Sequence, residues 1–284
     1  MNCCEEALMD YTGIYEVNLN NEELADFYES NGEVLCEQMV ENQYLTLRAA
    51  GSDEVVDYYR KRGSVLHKVA FPSFKSDFCG TIKPRNPEQY CAMDLLKSDV
   101  PIKLLTGKFG SGKTILIINW ALEAIQKNQF EKIVFIRNNV QVKDTDPLGA
   151  LPNGVFDKTL PYVMPFADHC GGVEGLKMLI DSGKLEVIPL GFLRGRSIRN
   201  SILYSMESEN LTKQHIQLIM GRVDEGTQLV MDGDFKQKDR TIFERSQGLE
   251  TMVERLVGNE YFGYVNLKKS ERSKVAQLAD LLDD

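Results

Sequence analysis

From about Val100 onward the chain predicts an α/β fold, a mostly parallel sheet with helices on both faces, and three observations carry that expectation. Short apolar runs alternate with amphipathic stretches of helix length, the pattern of strands buried on both sides by crossover helices. One glycine-rich segment, LLTGKFGSGKTILIINW (Leu104–Trp120), stands where an apolar run gives way to the next. The composition is that of an ordinary globular chain, with 43% hydrophobic and 26% charged residues in 284.

Residues 1–80 read as a small α+β module ahead of a core over 81–284. Its stretches IYEVNL and YLTLRA alternate apolar and polar residues as strands do, and NNEELADFYES reads as a helix with an Asn cap. It carries no catalytic constellation, so a scaffold or assembly role is expected. KPRNPEQ (Lys83–Gln89) reads as a Pro-rich junction. In the core, IKLLT, KIVFI, LEVIPL, SILYS, QLVM and YVNL are the candidate strands. Candidate helices span about 114–127, 173–182, 212–223, 247–257 and 272–282. Ligands of such sheets sit at the carboxyl ends of the strands.

The net charge of -9, from 33 basic and 42 acidic residues, argues against a dedicated double-stranded DNA binder but leaves room for a local basic groove. No apolar run is long enough to cross a membrane, and MNCCEEALMDY lacks the basic and apolar regions of a signal peptide, so a cytoplasmic location without membrane association is expected. The six cysteines show no CxxC spacing and the three histidines stand far apart, so no zinc site is expected. Internal repeats and low-complexity tracts are absent.

Gly107, Lys108, Phe109, Gly110, Ser111, Gly112, Lys113 and Thr114 fit G-x-x-x-x-G-K-[ST], the P-loop, between a strand and a helix as the motif requires. The glycines let successive N–H groups converge on phosphate oxygens, and the helix N-terminus adds partial positive charge. Lys113 is placed to bridge the β- and γ-phosphates of ATP, and the Thr114 hydroxyl to ligate magnesium. Hydrolysis needs, in addition, a carboxylate at the end of a later strand. SILYSMES ends in Met206-Glu207, and QLVMDGD ends in Asp232 and Asp234. The pattern favours LVMD, and the residues alone leave both strand ends open.

Residues Ile82–Leu282 resemble the PhoH-like family of P-loop ATPases. The resemblance is carried by IKPRNPEQYCAMDLL, LLTGKFGSGKT, PLGALPNG, LRGRSIRNS, MESENLT, DGDFKQKD and KKSERS, in the family's order. YTGIYEVNLNNEELADFY and NQYLTLRA look like the segment that connects this core to a PIN nuclease domain, so the resemblance implies the ATPase half without the nuclease. It implies a core similar to RecA and superfamily 1 helicases, ATP hydrolysis with Mg2+ coupled to work on single-stranded RNA, and a homo-oligomer in the form of a hexameric ring. Gln89 would read the adenine, Gly107 to Thr114 would hold the phosphates, and Lys113 would also act in catalysis. Gln237 would sense the γ-phosphate or orient water with Asp234 supporting its loop, and Arg272 would face the transferred phosphoryl group. Arg194, Arg196 and Arg199 would contact RNA or a neighbouring subunit's nucleotide.

The chain departs from the family at the first strand end. The family's DEAQN aligns with Met206-Glu207-Ser208-Glu209-Asn210, so the Walker B aspartate is a methionine, and Glu207 keeps the acidic position beside it. At the second strand end the usual Thr-Gly-Asp is Asp232-Gly233-Asp234. Asp232 is therefore the candidate replacement ligand, and a pseudo-ATPase that binds nucleotide for assembly or regulation is the alternative function. A small-molecule kinase lacks a recognisable acceptor site.

Overall fold

The computed structural model describes residues 11–52, 54–137, 163–237 and 246–271. The expected helix over 272–282, Arg272 and the PLGALPNG segment lie outside the described residues. In chain order the first half holds β1 (Ile14–Leu19), α1 (Asn21–Ser30), α2 (Glu33–Gln38), β2 (Tyr44–Ala49), β3 (Val55–Arg62), β4 (Val65–Lys68), β5 (Phe74–Ser76), β6 (Gly80–Ile82), α3 (Pro87–Lys97) and β7 (Ile102–Gly107). Then come α4 (Lys113–Gln126), β8 (Lys132–Arg137), α5 (Gly172–Asp181), β9 (Leu185–Pro189), β10 (Ser201–Ser205), α6 (Lys213–Met220), β11 (Gln228–Gly233), α7 (Gly248–Leu256) and β12 (Phe262–Leu267). The main sheet has six strands in the order β12-β7-β11-β10-β8-β9, so the chain is an α/β protein. All six core strands named from the sequence are present.

Two compact units divide the chain, one of 1–73, 83–112 and 253–284, the other of 74–82 and 113–252. In the first, β1 to β4 form a four-stranded sheet in chain order. β1 runs parallel to β2, and β3 and β4 return antiparallel. The helix α1 starts where the sequence says it should: Asn20 Oδ1 accepts from the Glu22 and Glu23 amides, and the Glu23 carboxylate accepts from Asn20 N in return. Phe27 and Cys36 from the helices pack on Leu45, Leu47 and Leu66 from the strands. KPRNPEQ proves to be more than a junction. Asn86 caps α3 through Gln89 N at 2.9 Å, and Pro87 takes the first helical turn, where its missing N–H costs nothing.

The N-terminal module is fastened to the first unit's part of the core. Tyr44 Oη donates to Asp94 Oδ2 of α3 at 2.7 Å. Asn42 Nδ2 donates to the carbonyls of Glu260 and Phe262, at 3.1 and 3.0 Å. Within the same unit β12 pairs in parallel with β7, from Phe262↔Ile102 to Leu267↔Gly107.

In the second unit the parallel ladder is β11-β10-β8-β9. Its strand interiors, such as Ile133–Ile136 and Ile202–Tyr204, are fully buried, which explains their continuous apolar runs. Among the described residues no helix is long and apolar enough to cross a membrane.

Candidate functional site

The glycine-rich loop takes the backbone its composition permits. Gly107, at the end of β7, has φ +142°, and a Cβ there would lie 2.1 Å from the Leu267 carbonyl oxygen. Gly110 and Gly112 have φ of +79° and +97°, the left-handed region that favours glycine. The loop is held from its own unit. Glu271 N donates to Gly110 O at 3.0 Å, and Gln89 Nε2 donates to Ser111 O at 2.9 Å. Gln89 is buried, and its Oε1 accepts from Arg85 N at 3.0 Å. The amide expected to read adenine is thus bonded at both ends to backbone, and it acts on the loop itself. Ser111 Oγ is buried with no hydrogen-bond partner, while Lys108 and Phe109 are exposed.

The loop's chain continues into Lys113 and Thr114, the first residues of α4. Thr114 Oγ1 donates to Asp232 Oδ2 at 3.1 Å. Tyr204 Oη donates to the same oxygen at 3.0 Å, and Glu207 N donates to Asp232 Oδ1 at 3.0 Å. Burial pushes the Asp232 carboxyl above its usual range, and the Lys113 ammonium, followed by the Tyr204, Glu207 and Thr114 hydrogen bonds, opposes it. Burial, reinforced by Asp232, lifts the Tyr204 phenol well above its ordinary value and keeps it a donor.

The two candidate strand ends lie side by side. The β10–β11 register ends at Ser205↔Met231, so Met206 and Asp232 are the next residues of adjacent parallel strands. Beyond Met206 the chain turns sharply. Glu207 has φ +52°, and a 3-10 turn follows over Ser208–Asn210. Glu209 in that turn is buried, and its Oε2 accepts from Asp234 N at 3.2 Å. Burial, with Asp232 adding to it, pushes the Glu209 carboxyl up to about 8. Sequence reasoning did not single out Glu209, and its only sequence signal is its place in the MESEN segment. Asp234 Oδ1 accepts from Lys236 N at 3.0 Å and Asp234 O from Gln237 N at 3.2 Å, and Gln237 is exposed.

The three arginines of the LRGRSIRNS segment differ in their partners. Arg196 Nη1 pairs with Glu186 Oε1 and Arg199 Nε with Asp224 Oδ2, each at 2.8 Å. Arg194 is exposed and has no ion pair among the described residues.

The donor set fits the groups the motif implies. Glycines at positive φ, the amide-rich entry to α4 and an unpartnered hydroxyl at Ser111 suit phosphate oxygens. The Thr114 hydroxyl and Asp232 carboxylate are paired oxygen donors of the kind a hard divalent cation takes, usually with water in the remaining positions. Met206 offers only a thioether, which such a cation does not choose.

Comparison with known proteins identifies the family. A family model described as PhoH-like protein matches residues 81–281. Protein PhoH2 of Bacillus subtilis is 31% identical over 290 residues, covering 96% of this chain and 64% of that protein. Protein PhoH2 of Mycolicibacterium smegmatis is 31% identical over 201 residues, covering 69% of this chain and 46% of that protein. The chain thus spans about half to two thirds of the length of these relatives. Among solved structures, Pif1 helicase from Candida albicans aligns over 71% of this chain and 44% of its own, with 16% identity and a TM-score of 0.38.

Proposed function

The chain belongs to the PhoH-like family, and on that premise we propose that it binds ATP through Gly107–Thr114 and hydrolyses it in the cytoplasm, coupling turnover to work on single-stranded RNA. The observation that carries the proposal is the pair formed by Thr114 Oγ1 and Asp232 Oδ2 at 3.1 Å. It provides the strand-end carboxylate that Met206 does not.

Lys113 neutralises charge on the β- and γ-phosphates, and the loop amides with the Ser111 hydroxyl orient them. Thr114 and Asp232 would hold magnesium through oxygen. Magnesium, when bound, screens the phosphate charge and favours in-line attack. Glu207, one residue past the missing aspartate, is the candidate to polarise the attacking water. Gln237 senses the γ-phosphate from a loop set by Asp234, and Arg272 supplies further positive charge. Gln89 keeps the loop in register and presents its remaining hydrogen-bonding capacity to adenine. Arg194, Arg196 and Arg199 face RNA or a neighbouring subunit in a hexameric ring.

Met206 favours a second reading, in which nucleotide binds without turnover and serves assembly or regulation. ATP turnover measured with and without single-stranded RNA separates the two. Turnover stimulated by RNA supports the first, and tight ATP binding with no turnover under either condition supports the second.

A further inference from the structure

Past the carboxyl end of β9 the chain makes one 3-10 turn, Leu190–Leu193. Three residues per turn bring Leu190 and Leu193 onto one face, and both are buried, with α6 packed against the turn. The intervening Phe192 is forced outward and is 74% exposed, more than any other large hydrophobic residue described. Glycines flank this motif at 191 and 195, leaving the ring unshielded. The turn is anchored on its other side as well. Arg196 N donates to Leu193 O at 3.2 Å, and Arg222 Nη1 donates to Arg196 O at 3.2 Å.

The segment that follows the turn is basic, with arginines at 194, 196 and 199. Glu186 is shared by Lys132 at 2.6 Å and Arg196 at 2.8 Å. Burial raises this carboxyl, but those two cations outweigh it and hold it below its ordinary range, so it stays ionised. Two cations on one carboxylate leave a net positive charge, and Arg194 adds another. An exposed aromatic face, two residues from an exposed arginine with no ion pair among the described residues, matches unpaired bases and their phosphates.

We propose that Phe192 is a stacking platform for a base of single-stranded RNA, with Arg194 on the adjoining phosphate. The inference rests on the RNA reading above and narrows it, because Arg196 and Arg199 are already committed to Glu186 and Asp224. The platform lies at the same carboxyl-end side of the parallel ladder as Asp232.

The test is fluorescence anisotropy of a labelled oligouridylate with the whole chain, across a salt series, with ATP affinity and solution mass measured alongside. Phe192→Ala is expected to weaken binding at least roughly fivefold, Phe192→Tyr to retain it, and both to leave ATP affinity and mass unchanged. Arg194→Ala is expected to reduce the slope of log affinity against log salt by about 0.7. Duplex RNA, whose base faces are hidden, is expected to be insensitive to Phe192→Ala. If the unaltered chain binds oligouridylate and Phe192→Ala binds it equally well, this inference is overturned and the RNA reading stands. An unaltered chain that does not bind at low salt removes both. A fall in mass with Phe192→Ala assigns the ring to a subunit interface and overturns the platform.

Discussion

The ends of β10 and β11 are neighbours in register, yet they differ in chemistry. At β10 the chain leaves the sheet through Met206 and a left-handed Glu207. At β11 it leaves through Asp232, which is bonded to Thr114, Tyr204 and the amide of Glu207. A metal carboxylate is defined by where its oxygens lie and by what holds them. The Asp232 carboxyl lies within hydrogen-bonding reach of Thr114, as the 3.1 Å contact shows. The difference teaches that a strand-end motif read along one strand should be read across its neighbours as well.

Glu209 links the two ends, and it is where the largest effect on stability is expected. Its carboxyl titrates near 8 in the folded protein against an ordinary 4.5. The folded chain therefore holds a proton that the unfolded chain has already released. Its burial carries no penalty below about pH 4.5, the penalty grows as pH rises, and it is complete above about pH 8. Glu209→Gln should flatten that decline, worth on the order of several kcal/mol over the window. Urea unfolding of both proteins at a series of pH values measures it, and parallel slopes would remove Glu209 as the titrating group.

Asp232→Asn should lower steady-state ATP turnover by at least about a hundredfold, the loss of several kcal/mol of metal-dependent charge stabilisation. Lys113→Ala tests the loop rather than the strand ends. It should weaken ATP binding by roughly tenfold or more, since a charge-assisted contact contributes about 1.5–3 kcal/mol. An undiminished calorimetric affinity in the folded variant would contradict the phosphate role. Met206→Asp returns the carboxylate to β10 and should raise turnover severalfold. In the Asp232→Asn background its fold gain should be larger than in the unaltered chain, and an equal gain in both would show that the two positions do not substitute for one another.

The smallest effect is expected from Tyr204→Phe. It removes one of three hydrogen bonds to Asp232 and should cost about 1 kcal/mol of stability. Because that bond holds the Asp232 carboxyl down, its loss should also move the acid limb of the pH–turnover profile upward. A profile that stays in place would separate Asp232 from the acid limb.

Much of this was legible in the sequence. Buried parallel strands announce themselves as continuous apolar runs, and the P-loop carries its own spacing. Asn20 and the glutamates after it mark the start of α1. Asn86-Pro87 is an equally good helix start, but a second proline at 84 made the segment look like a linker. The helix expected over 212–223 ends at Met220, where Gly221 closes it. What the sequence could not show is register. Only the β10–β11 pairing makes Met206 and Asp232 neighbours, and pairing across strands leaves no periodic trace along either one. Partnering of charges is hidden for the same reason. The arginines at 194, 196 and 199 look alike in the sequence, but the two that meet Glu186 and Asp224 are set by contacts from other elements.

The proposal that Asp232 is the metal carboxylate is tested most directly by titrating a non-hydrolysable ATP analogue calorimetrically, with and without magnesium, into the unaltered chain and Asp232→Asn. The unaltered chain should bind more tightly with magnesium. In Asp232→Asn that gain should disappear while the metal-free affinity stays the same. An Asp232→Asn protein that keeps the full magnesium gain would contradict the account.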